Sequence, residues 1–217
     1  MKEKIKNFNN FLNSPLNISS RVLILIAALV LIPTFFIPMW HMSFDSMQYP
    51  EGLDLYIYSN SLEGGDEGND LTEINILNHY IGMAELKEED FTEFKWIPLI
   101  IGLMIVLTLR SVVIGTFSTV IDILVFFAYF SLFSLWRFWY MLSSYGHELD
   151  PRAPVQVEPF TPPLFGSKMV GQFTVTSYPS YSVIFFSLFL VLLVLAIYVT
   201  YQQENIQFLR KNNKRKE

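Results

Sequence analysis

Four transmembrane helices carrying a small mixed α/β extracytoplasmic cap is the architecture the sequence predicts, on three observations. The 217-residue chain is 52% hydrophobic, and its apolar residues gather in four long runs. Its basic residues cluster at both termini. Two long polar segments separate the runs. A run of about 20 apolar residues crosses roughly 30 Å of hydrocarbon as a helix.

The first span is expected at residues 22–40 (VLILIAALVLIPTFFIPMW), the second at 96–114, the third at 120–141 and the fourth at 182–200. The first has a basic lead like a secretion signal, but no small-residue cleavage site follows it, so it reads as an uncleaved anchor. Basic residues mark the cytoplasmic side. Lys2, Lys4, Lys6 and Arg21 lie in the N-terminal tail (1–21). Arg210, Lys211, Lys214, Arg215 and Lys216 lie in the C-terminal tail (201–217). Arg110 flanks a short turn at 115–119. These segments read as cytoplasmic. Residues 41–95 and 142–181 then face outward.

The first outer segment carries thirteen Asp/Glu against Lys87 and Lys95, a bias that the net charge of −5 conceals. Such a surface excludes nucleic acid and suits cations or a basic partner. Within it, residues 53–58 alternate as a strand does, and 59–70 read as a polar turn. Asp70 is the expected N-cap of a helix, with Glu73 in capping-box position. Leu71, Ile74, Leu77 and Ile81 follow at helical spacing, and Gly82 is the stop. A second short helix is expected around 88–94. The other outer segment holds five prolines between 151 and 163, which enforce an extended path. A strand at 172–176 and a turn at 177–179 complete the cap.

Histidine and methionine gather in the outward segments. All three histidines are there, with Met42, Met47, Met83 and Met169; Met39 and Met141 stand at the outer ends of spans one and three, and the chain has no cysteine. Thioether sulfur suits Cu(I), and imidazole serves both copper states. The candidate metal ligands are His41, Met42 and Met47 at the mouth of span one, His79 and Met83, and His147. Asn75 and Glu85 are possible companions of His79. The bland alternatives are interfacial anchoring for Trp40 and His41, a surface hydrogen bond for His79, and a helix end capped by Gly146 for His147. Arg137 reads as a residue that snorkels within an aromatic belt, and Arg110 as a partner for Asp122. Catalytic signatures are absent: no glycine-rich phosphate loop, no HExxH, no nucleophile elbow.

The stretches YPEGL (49–53), LNHYIGM (77–83), YGHELDP (145–151) and EPFTPPL (158–164) resemble those of a small family of bacterial multi-span membrane proteins encoded beside nitrous oxide reductase and its maturation factors. The likeness covers both outer segments and the order of the spans. It implies service to a periplasmic copper enzyme or its maturation complex, with copper as the bound metal. No established copper-chaperone pattern accompanies these stretches. Three readings follow: a non-enzymatic accessory that binds or hands over copper; an interaction or scaffold subunit docking through its proline- and aromatic-rich loops; and a transport or relay subunit using Ser111, Thr116, Ser118, Thr119, Asp122, Ser131 and Ser134.

Overall fold

The computed structural model describes residues 12–170 and 173–213, with side chains described as far as residue 203. The basic side chains at 2, 4 and 6, those from Arg210 onward, and Gln172 of the expected strand lie outside this set. The chain is mainly helical, with one five-stranded antiparallel sheet. In order, the elements are α1 (Ile18–Val30), a 3-10 turn (Ile32–Phe35), β1 (Trp40–Asp45), β2 (Leu53–Ile57), β3 (Leu62–Gly64) and α2 (Asn69–Ile81). There follow α3 (Glu93–Ile114), α4 (Phe117–His147), β4 (Gly166–Val170), β5 (Phe173–Pro179) and α5 (Ser182–Asn213). Four helical stretches are long and apolar enough to cross a membrane: Ile18–Phe35, Glu93–Ile114, Phe117–His147 and Ser182–Gln203.

The chain divides into two compact units. One comprises Met1–Ile32, Ile100–Tyr129 and Ile184–Glu217; the other comprises Pro33–Leu99 and Phe130–Val183. The first unit is helical. Small residues let its helices approach: Ala27, Ala28 and Ala196 are fully buried. Ser20 Oγ donates to the Ala196 carbonyl at 3.0 Å and lies 2.8 Å from Thr200 Oγ1. Its partners here are protein atoms, so this buried hydroxyl is satisfied. Asn17 caps α1 by accepting from Ser20 N at 2.6 Å. The turn between α3 and α4 is shorter than 115–119, because α4 already starts at Phe117. Leu16 N donates to the Gly115 carbonyl and Phe117 N to Ser14. Arg21 Nη1 donates to the Val112 carbonyl at 3.2 Å, answering an orphan acceptor at the end of α3. The expected Arg110–Asp122 pair does not form among the described residues: both side chains are exposed, and Arg21 is the cation at this turn.

The second unit is built on the sheet, with strand order β3-β2-β1-β5-β4. β1 is central: Trp40 pairs with Ile57 on one side and Pro179 on the other. One face carries Trp40, Met42, Leu53, Leu55 and Val175 into a core with Ile74 of α2, Phe91 and Leu142 of α4. Trp40 Nε1 donates to Ser177 Oγ at 2.8 Å, and Ser177 Oγ donates on to the Leu164 carbonyl, so the indole is buried without an orphan donor.

Several expectations are corrected here. Span one begins at Ile18 and its helical part ends by Phe35; residues 40–45 are strand, because β2 and β5 flank them with ladder bonds. Helix α4 runs on to His147, since Phe138, Met141 and Tyr145 pack against the sheet core. The expected turn at 59–70 contains β3. Residues 177–179 belong to β5 rather than a turn, and β4 went unforeseen. A 3-10 turn, Glu88–Asp90, replaces the helix at 88–94. Asp70 is not the N-cap of α2; that position is Gly68 at φ 96°. Asp70 Oδ2 instead accepts from Asp54 N at 2.8 Å, and Glu73 accepts from the Tyr49 hydroxyl at 2.7 Å. That bond, with burial second, raises the Tyr49 pKa. Arg137 does not merely snorkel: it pairs with Glu93, whose side chain is 12% exposed.

Candidate functional site

The stretches LNHYIGM, YGHELDP and EPFTPP are joined to one another by backbone hydrogen bonds. Asp150 N donates to the Gly82 carbonyl at 2.8 Å, Val155 N to Tyr80 at 3.0 Å, and Phe160 N to Gly146 at 2.9 Å. Two glycines permit the approach. Gly82 ends α2 at φ 80° with Asp150 backbone against it, a conformation that only glycine adopts freely. Gly146 lies inside the last turn of α4, where the Phe160 carbonyl fills the space of a side chain. It is therefore not the helix cap, which corrects the reading from local sequence.

This junction forms a cleft of about 720 Å³ lined by His79, Met83, Glu85, Glu148, Asp150 and Arg152, among others. The chain reaches it for a local reason. Past Gly82 the left-handed turn brings Met83 N back to the Asn78 carbonyl at 2.8 Å, the closure common at helix ends. Imidazole and thioether thereby line one cleft. Lys87 hydrogen-bonds Glu85 at 2.8 Å and lowers its pKa, first by that bond and then by its charge. Arg152 lowers Asp150 by side-chain and backbone hydrogen bonds; His79 adds a smaller pull on both carboxylates. These pairs are exposed and add little stability. They set two carboxylates beside an imidazole.

The other candidate ligands are placed elsewhere. His41 Nε2 lies 2.9 Å from Asp54 Oδ1, and its ring stacks on Tyr56 at 4.7 Å. Met42, its neighbour in β1, is buried on the opposite face of the sheet. Met47 is fully exposed. His147 Nδ1 donates to the Ser143 carbonyl at 2.8 Å. None of these four lines the cleft. Asn75 is not a companion of His79: its amide holds Leu86 N at 2.7 Å and the Leu86 carbonyl at 3.3 Å. His79 alone of the three histidines makes no side-chain hydrogen bond among the described residues. Among those residues, no group of three or more His, Asp or Glu side chains is arranged to hold a metal. Of the candidate ligands, His79 and Met83 alone line this cleft. Ser111, Thr116, Ser118 and Thr119 bond to one another or to backbone, which serves the turn between α3 and α4 rather than a path.

Sequence reasoning missed Asp54, Tyr56 and Tyr178 around His41. The alternation of β2 was the available signal for the first two. Comparison with protein-family models, curated proteins and solved structures yields no match.

Proposed function

We propose that the chain is a non-catalytic accessory protein of the bacterial cytoplasmic membrane. Its four apolar helices span the bilayer, its termini are cytoplasmic, and its sheet unit stands outside as a cap that docks a partner. The observation that carries this reading is how the two polar segments are used. They fold together into one sheet, and their motif stretches are spent on holding each other by backbone bonds. What they leave open is surface. The resemblance of those stretches points to a periplasmic copper enzyme, nitrous oxide reductase, or its maturation complex as the partner.

Sidedness is the first test. Because the chain has no cysteine, Met47→Cys supplies a single thiol at a fully exposed position. A membrane-impermeant maleimide is expected to label it in intact cells. Labelling only after lysis would overturn the topology.

A second reading, copper hand-over, is favoured by one observation: the histidine whose ring makes no hydrogen bond among the described residues shares its cleft with a methionine. The purified chain is then expected to bind about one Cu(I), through soft and borderline donors. His79→Ala weakens binding by about tenfold or more, while His41→Ala and His147→Ala leave it unchanged. Affinity indifferent to both His79→Ala and Met83→Leu would remove the metal from the proposal.

A further inference from the structure

We propose that the face of the sheet turned away from the core is the docking surface, and that it takes a lysine- and arginine-bearing segment of a partner protein. This rests on the accessory reading and gives it an address. Side chains alternate across a strand. With Trp40, Met42, Leu55 and Val175 in the core, the register places His41, Asp45, Asp54, Tyr56, Glu63 and Tyr178 on the other face.

Two properties of that face select the occupant. The first is an aromatic strip across the three central strands. The His41 ring stacks on Tyr56 and lies 5.7 Å from the Tyr178 ring, and Tyr178 is 45% exposed. The second is charge. Asp45, Asp54 and Glu63 stand on this face, and the residues that register and alternation assign to it in all five strands include no lysine or arginine. Lys168 of β4 pairs with Val175, so it belongs to the core side, where its ammonium donates to the Thr161 carbonyl. Burial and then neighbouring carboxylates raise the Tyr56 and Tyr58 pKa values, in keeping with a local negative field.

Aromatic rings flanked by carboxylates suit guanidinium and ammonium groups, which stack on the rings and pair with the acids. Phosphate-bearing polymers and anionic lipid headgroups are repelled by the same charges. A second copy of the face would set carboxylate against carboxylate.

The test uses the full chain in nanodiscs of zwitterionic lipid and a fluorescent Arg-Gly repeat peptide, with a Glu-Gly peptide of equal length as control. The basic peptide is expected to bind and the acidic one not, with affinity falling as salt rises. Asp45→Lys/Glu63→Lys should weaken binding by about tenfold, and Tyr178→Ala by several-fold. Glu89→Lys/Glu158→Lys, at exposed sites outside the sheet, should change it much less. Equal binding of both peptides, or equal loss in the two lysine pairs, would overturn the docking face. So would binding that ignores the face variants. If those results came with Met47→Cys labelled from outside and the partner still co-purifying, the accessory reading would survive alone.

Discussion

Replacing Gly146 with alanine is expected to loosen the second outer segment and to raise the rate of tryptic cleavage after the exposed Arg152. A Cβ there meets the carbonyl of Phe160, with Pro162 Cδ close behind. Neither side can give way. The helix backbone of α4 is fixed by its own ladder, and the incoming strand of chain is stiffened by Pro159, Pro162 and Pro163. Overpacking of this kind costs about 1–3 kcal/mol. Separation also breaks the Phe160–Gly146 hydrogen bond, worth about 1 kcal/mol. A cleavage rate and melting temperature equal to wild type would show that the junction is not the restraint described here.

The second large effect is expected at Glu93. Its carboxylate faces the Arg137 guanidinium, which also lies 5.5 Å from the Tyr140 ring centre. Removing one partner of a buried pair strands the other, at about 3–5 kcal/mol in a fully buried setting. Arg137 keeps 29% of its side chain exposed, so relaxation brings Glu93→Ala nearer about 2–3 kcal/mol. An apolar pair, Glu93→Leu/Arg137→Leu, is expected to recover most of that loss, since neither charge then needs a counterpart. Unfolding in mixed micelles reads both variants. A double variant no more stable than Glu93→Ala would show that the pair is not the source of the effect.

The helices were legible because long apolar runs carry their signal locally. Leu53–Ile57 was legible from alternation, and Gly82 from the helical periodicity that stops before it. Part of Phe173–Pro179 was legible too, and the other three strands were hidden for distinct reasons. Trp40–Asp45 follows directly on an apolar run, so its first residue reads as the end of a span. Leu62–Gly64 is too short to show a period, and Gly166–Val170 has both sides largely exposed. At Asp70 and Glu73 the local pattern matches a capping box, yet both carboxylates are claimed by partners far along the chain, Asp54 and Tyr49. Asn75 likewise stands four residues before His79 but serves Leu86. Gly146 beside His147 looks like a helix stop; its need arises only from Phe160. As for the candidate ligands, of which His79 and Met83 line one cleft, the sequence showed donor types. Strand pairing, which sets His41 and Met42 on opposite faces, was beyond it.

The placement of β1 bears on how the protein is made. The middle strand of the sheet emerges from the ribosome well before one of its two neighbours, β5. Until then β1–β3 is a three-stranded ribbon in which β1 is an edge as well as β3, the kind of edge that invites wrong pairings. Under the proposed topology it waits in that state beyond the bilayer while α3 and α4 are inserted. Truncations that stop short of Phe173 would never close it, and such nascent chains should be clients of quality-control proteases rather than stable fragments.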